Sequence, residues 1–123
     1  MKTYNKKIAI VGLGYVGLPL AIEFGKNYST IGYDISNKRI EELNKGKDST
    51  LEVNKESIKK ASKLNFSSDI ENIRDCQIYI ITVPTPIDNA RRPELSPIKK
   101  ASEAIGSFLK KDDIVIYEST VFP

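Results

Sequence analysis

The sequence predicts an α/β fold of the Rossmann type: a doubly wound, mostly parallel sheet forming one domain over residues 1–123. Three observations predict it. A short apolar run, Ile8-Ala-Ile-Val11, breaks directly into three spaced glycines, Gly12, Gly14 and Gly17. Strand-like runs then alternate with amphipathic helical stretches to the end of the chain, the pattern of successive βα units. The run Gln77 to Val83 is apolar nearly throughout, as a parallel strand covered on both faces must be. Right-handed crossovers place such strands in the order 3-2-1-4-5, with a ligand crevice where strands 1 and 4 diverge.

The first strand is Ile8 to Val11, four apolar and mostly β-branched residues after the polar Asn5, Lys6 and Lys7. A helix is predicted from Tyr15 to about Lys26, with Gly17, Leu20, Ala21 and Phe24 as its apolar face. Pro19 falls in its first turn, where the leading N–H groups have no intrahelical partner and little is lost. Thr30 to Asp34 is the second strand, and Gly32 within it marks a close backbone approach. Ser36 caps a helix from Asn37 to Lys45, with Ile40 and Leu43 facing inward.

Gly46 to Thr50 is rich in turn formers, and Asn54 or Ser57 begins a short helix ending near Lys63. Leu64 to Phe66 makes a short third strand, with Ser67-Ser68 capping a helical turn through Arg74. After the fourth strand, Pro84 to Pro93 is a long irregular loop. Ser96-Pro97 opens a helix to about Lys110, since proline suits the first helical position. Asp113 to Glu118 is the fifth strand. The chain ends soon after it, which suggests a fragment of something longer.

Composition narrows the chemistry. The net charge is +3, but the basic pairs Lys59-Lys60, Lys99-Lys100 and Lys110-Lys111 are dispersed and have acids nearby. A nucleic-acid footprint needs a clustered basic face, so no nucleic-acid partner is expected. No apolar run approaches the ~20 residues of a membrane span. The N-terminal apolar segment is too short for a signal-peptide core, so no membrane association and a cytoplasmic location are expected. With no histidine there is no Ser-His-Asp triad and no His-ligated metal, and no metal site is expected. Cys76 is the lone cysteine and has no motif around it, which reads as a structural thiol.

The glycines carry the functional signal. Gly12 permits a tight turn, Gly14 admits a pyrophosphate close to the backbone, and Gly17 lets the helix lie close on the strand. The N-terminal end of that helix then faces the phosphates with free N–H groups. Asp34, ending the second strand, accepts hydrogen bonds from ribose hydroxyls or acts as a helix cap. The first role favours NAD over NADP. Arg39 bears on the same choice, since it either serves a 2′-phosphate or lies flat against an adenine. After the fourth strand, Val83-Pro-Thr-Pro86 is either a rigid turn or a cofactor contact through the Thr82 and Thr85 hydroxyls. Ser119 and Thr120 hold the corresponding place after the fifth strand, where a polar turn is the simpler reading. Arg91-Arg92 reads as a solvated loop.

Four segments occur together and in order: Val11-Gly-Leu-Gly-Tyr-Val-Gly-Leu-Pro-Leu20, Gly32-Tyr-Asp34 with Arg39, Thr82-Val-Pro-Thr-Pro86, and Glu118-Ser-Thr-Val-Phe-Pro123. With them the chain resembles, over essentially its whole length, the N-terminal NAD-binding domain of the UDP-glucose/GDP-mannose dehydrogenase family. The Tyr-Glu-Ser-Thr-Val form looks most like the bacterial branch acting on UDP-N-acetylhexosamines for surface polysaccharide synthesis. Members acting on UDP-glucose more often carry lysine at the position of Glu118.

The resemblance implies that a nucleotide-sugar C6 alcohol is oxidised twice to a carboxylate with two NAD reduced, through a cysteine thiohemiacetal and thioester. It implies pyrophosphate binding by Gly12, Leu13, Gly14, Tyr15, Val16 and Gly17, and adenosine binding by Asp34 and Arg39. Val83, Pro84, Thr85, Ser119 and Thr120 would line the cofactor toward the nicotinamide, with Thr120 supporting the reaction near the reacting carbon. The family's catalytic cysteine lies in a Gly-Gly-x-Cys-x-Pro segment that Cys76 does not match. The chain is therefore expected to bind NAD without turning over sugar. The UDP-sugar domain and dimerisation helix are expected in a longer protein, a homodimer or higher. Two other readings stand beside this one: a stand-alone nucleotide-binding or regulatory module, and the cofactor domain of a β-hydroxyacid-type dehydrogenase.

Overall fold

A computed structural model describes residues 6–48, 53–82 and 96–118. Its strands are β1 (Ile8–Val11), β2 (Thr30–Tyr33), β3 (Leu64–Ser67), β4 (Ile78–Ile81) and β5 (Ile114–Tyr117). They pair in parallel in the order β3-β2-β1-β4-β5, as the crossover rule requires. The helices are α1 (Gly17–Gly25), α2 (Asn37–Asn44), α3 (Lys55–Lys60) and α4 (Ser96–Gly106), with a 3-10 turn at Ile70–Ile73.

Side chains alternate across the sheet and sort into two cores. On one face Ile8, Ile10 and Ile80 pack with Leu18, Ala21 and Ile22 of α1 and with Ile40 and Leu43 of α2. On the other, Ala9, Val11, Tyr79 and Ile81 pack with Ile73, Cys76 and Ile105 of α4. All four residues of β1 are buried, because helices cover it on both sides. Among the described residues β5 lies at the sheet edge beside β4 alone and leaves Ile114, Ile116 and Tyr117 exposed.

Several expected boundaries shift for identifiable reasons. Helix α1 starts at Gly17, not Tyr15, and its buried residues are Gly17, Leu18, Ala21, Ile22 and Gly25. Gly17 is pressed onto the turn, which fixes the helix rotation. Leu20 and Phe24, expected on the apolar face with Gly17 and Ala21, are only partly buried. Ser36 and Asn54 cap α2 and α3, accepting from Arg39 N and Ser57 N. Helix α3 stops at Lys60, before the expected Lys63. The 3-10 turn is capped by Asp69 rather than by Ser67-Ser68. Ser67 Oγ instead accepts from Asp69 N at 3.0 Å and from Asn72 Nδ2 at 2.6 Å. Helix α4 ends at Gly106, short of Lys110, because glycine is a poor helix former. Lys110 N then donates to Asp113 Oδ2 at 2.9 Å.

Candidate functional site

The site begins where β1 stops. Gly12 has φ of 102°, a backbone conformation that strains any residue with a Cβ, and it turns the chain toward α1. A Cβ on Gly17 would stand 1.7 Å from the Gly12 carbonyl oxygen and 2.4 Å from Thr82 Oγ1, so α1 sits on the turn at backbone contact. A Cβ on Gly14 would meet nothing within 4 Å. Gly14 thus leaves open space beside the backbone.

Helix α1 points its N-terminus at this turn without protein support. Val16, at its N-cap, makes no side-chain capping bond, and no acid occupies the first turn. By contrast α2, α3 and the 3-10 turn are capped by Ser36, Asn54 and Asp69. Leu18 N donates to the Gly14 carbonyl at 3.2 Å and Pro19 carries no N–H, so what α1 offers an anion is chiefly its positive dipole end.

Leu13, inside the turn, is held from two sides. Its N–H donates to Asp34 Oδ2 at 2.9 Å, while Asp34 Oδ1 accepts from Ser36 N at 3.0 Å. Each carboxylate oxygen keeps a further lone pair for an external donor. Arg39 Nε donates to the Leu13 carbonyl at 2.8 Å, and Arg39 Nη1 pairs with Glu42 at 2.7 Å and Asp48 at 2.8 Å. The Arg39 side chain is 10% exposed and that of Asp48 is fully buried. Burial works to lower the Arg39 pKa, but the hydrogen bonds and charges of Glu42 and Asp48 outweigh it and raise the value above the ordinary one. Arg39 Nη2 is buried without a hydrogen-bond partner among the described residues.

A crevice of about 650 Å³ opens beside these groups. One wall comprises Gly12, Leu13, Gly14, Asp34, Ile35 and Arg39; the other includes Pro97, Lys100, Ala101 and Ala104 of α4. Tyr33 also lines it, and its phenol is kept protonated by burial first and then by the charges of Asp34 and Asp69. The α4 stripe and Ile35, which is 81% exposed, were missed by sequence reasoning. The stripe has the i, i+3, i+4, i+7 spacing of one helix face, but spacing alone does not say what that face meets.

The other expected site residues divide into two groups. Tyr15 and Val16 stand exposed just after the turn. Thr82 does not offer its hydroxyl to the crevice. It is buried, with Oγ1 at 2.6 Å from the Gly12 carbonyl and 3.1 Å from that of Val11, so its donor holds the end of β1. Val83, Pro84, Thr85, Arg91, Arg92, Ser119 and Thr120 lie outside the described residues. Cys76 is buried, and burial pushes its thiol up to about 11, far from a nucleophile's range. No group of three or more His, Cys, Asp or Glu is placed to hold a metal among the described residues. Among them, too, no helix is long and apolar enough to cross a membrane.

The family model described as UDP-glucose/GDP-mannose dehydrogenase family, NAD binding domain, matches residues 6–123. The chain belongs to this family. Its cofactor is NAD, and the groups around the crevice fit one: a glycine turn open at Gly14, an uncapped helix N-terminus and a carboxylate at the end of β2. The chain is 57% identical over 117 residues to the UDP-N-acetyl-D-glucosamine 6-dehydrogenase of Pseudomonas aeruginosa, covering 95% of this chain and 28% of that protein. The structure of UDP-D-ManNAc dehydrogenase from Pyrococcus horikoshii superposes with a TM-score of 0.86 at 33% identity, over 93% of this chain and 28% of that one. A ternary complex of GDP-mannose dehydrogenase from Pseudomonas aeruginosa gives 0.84 at 27% identity, over 94% and 29%. The NAD-binding domain thus spans under a third of the length of these relatives.

Proposed function

We propose that this chain is the NAD-binding part of a UDP-sugar 6-dehydrogenase, acting on a UDP-N-acetylhexosamine, whose remaining length supplies the nucleophile and the sugar site. The observation that carries this reading is the convergence of Gly14 and Asp34 on one crevice, with the uncapped N-terminus of α1 following directly after the turn. The identity with a UDP-N-acetyl-D-glucosamine 6-dehydrogenase supports the substrate class. In this reading the turn Gly12, Leu13, Gly14, Tyr15, Val16 and Gly17 holds the pyrophosphate. Gly12 N is bonded to Tyr33 O and Leu13 N to Asp34, so the backbone donors come from Gly14 to Gly17, with the dipole of α1. Asp34 accepts from the adenosine ribose, and Arg39 lies beside the adenine with its charge already paired.

Val83, Pro84, Thr85, Ser119 and Thr120 line the cofactor toward the nicotinamide, and Thr120 helps place the reacting group. NAD, when bound there, would supply the oxidant for C6, one NAD being reduced at each of the two oxidation steps. The whole protein is cytoplasmic, drawing NAD from that pool, and works as a homodimer or higher assembly. Calorimetry and NADH absorbance test the division of labour. The 123-residue chain is expected to bind NAD and to form no NADH with UDP-N-acetylglucosamine. Turnover by this chain alone would overturn the placement of the nucleophile elsewhere.

A further inference from the structure

An arginine placed just beyond the acid of a dinucleotide site ordinarily serves a 2′-phosphate, because a guanidinium pairs with phosphate in a forked, charge-assisted geometry. Arg39 stands in that place, yet Nε and Nη1 are taken, and Nη2, which has no hydrogen-bond partner among the described residues, is buried. Nε holds the Leu13 carbonyl at 2.8 Å, and Nη1 reaches Glu42 at 2.7 Å and Asp48 at 2.8 Å. Asp48 is itself fixed, accepting from Val53 N at 3.1 Å, with a side chain that is fully buried. Asp34 grips the N–H of the same Leu13 whose carbonyl Arg39 grips. One guanidinium therefore answers two carboxylates, while a third, that of Asp34, holds the same residue of the turn by its N–H.

We propose that Asp48 and Glu42 are specificity-determining residues: by pairing with Arg39 and holding it against Leu13, they keep its charge from a 2′-phosphate and so enforce the choice of NAD over NADP. The proposal rests on the reading that the adenosine ribose sits at Asp34. Asp34 alone disfavours a 2′-phosphate by repulsion. A free Arg39 would offset that repulsion, and the two carboxylates remove the offset. They lie three and nine positions beyond Arg39, and Asp48 arrives on the loop after α2, outside any dinucleotide-binding motif.

Calorimetric titration with NAD and NADP tests this on the 123-residue chain and on Glu42→Gln, Asp48→Asn, the double variant, and the double variant carrying Arg39→Gln. The double variant is expected to narrow the ratio of NAD to NADP affinity by about tenfold or more, through tighter NADP binding, since one unpaired guanidinium meets the phosphate. Adding Arg39→Gln is expected to restore weak NADP binding. A purely structural role would weaken both cofactors together and leave the ratio unchanged, and an unchanged ratio in folded double variant overturns the proposal.

Where Asp48→Asn unfolds the chain, Glu42→Gln decides. Its side chain is 22% exposed and its pair is the lesser buried one. NADP affinity is then expected to rise about threefold or more, because half of the counter-charge is gone. No rise overturns the proposal. Asp34→Ala separates the two levels. If it leaves both affinities unchanged, the site reading itself is wrong. If it weakens NAD while the Glu42 and Asp48 variants leave the ratio as it was, that reading stands and this proposal alone is refuted.

Discussion

Replacing Gly17 by alanine sets a methyl group 1.7 Å from the Gly12 carbonyl oxygen and 2.4 Å from Thr82 Oγ1. Relaxed nonbonded contacts sit near ~3.5 Å, so α1 and the turn would have to part by about 1–2 Å. Neither obstacle gives easily. One is backbone, and the other is a hydroxyl already bonded to that carbonyl at 2.6 Å. Overpacking of this kind costs about 1–3 kcal/mol. The helix-propensity gain of alanine, at most ~1 kcal/mol, is small at the first helical position. A net loss of about 2 kcal/mol corresponds to a Tm lower by about 6–10 °C for a domain of this size.

Gly14→Ala is the opposite case. Its Cβ meets nothing within 4 Å, and the glycines with positive φ among the described residues are Gly12 and Gly46, so stability should hold within about 0.5 kcal/mol. The same methyl enters the space assigned to the pyrophosphate and displaces its charged hydrogen bonds. NAD affinity should fall by about 1.5–3 kcal/mol, tenfold or more. Thermal melting with calorimetric titration reads both variants. An unchanged Tm for Gly17→Ala would refute the backbone contact between α1 and the turn. Unchanged NAD affinity for Gly14→Ala would refute the placement of the pyrophosphate.

Asp34→Ala should weaken NAD binding by about 1–3 kcal/mol, the value of the ribose hydrogen bonds, and titration of the variant showing no loss would reduce Asp34 to a clamp on Leu13 and Ser36. Thr82→Val keeps shape but removes the donor to the Gly12 carbonyl, so urea denaturation should report about 1–2 kcal/mol less stability. A neutral result would mean that the carbonyl finds another donor. Cys76 titrates at about 11 in the fold against an ordinary value of 9.0, so the folded protein binds the proton more tightly. The stability that this contributes is complete below pH 9 and is lost as pH rises through 11. Wild type should therefore lose Tm more steeply than Cys76→Ala across that window, and parallel curves would contradict a buried thiol.

Much of this was legible in the residues themselves because it is local. The continuous apolar, mostly β-branched run Ile8 to Val11 and the apolar run through β4 mark strands without reference to anything distant. The glycine spacing assigned a turn, an open approach and a tight packing point to Gly12, Gly14 and Gly17, and each is found where it was expected. Strand order followed from chirality, which is a rule of connection rather than of sequence detail. Cap positions at Ser36 and Asn54 were equally local.

Other features depended on how distant segments meet. Nothing near Thr82 says that its hydroxyl turns back to Gly12, 70 positions earlier, rather than toward a ligand. Pro97, Lys100, Ala101 and Ala104 form a helix stripe whose partner is set only when α4 lies over the sheet. Arg39 was ambiguous between two cofactors as long as its neighbours were unknown. The sequence by itself determined that this chain makes a parallel sheet with a dinucleotide turn at its first strand. The tertiary structure alone decided which charges meet there. Period and spacing act over a few residues, whereas the pairing of Arg39 with Asp48 and Leu13 exists only once the loop after α2 has folded back against the turn.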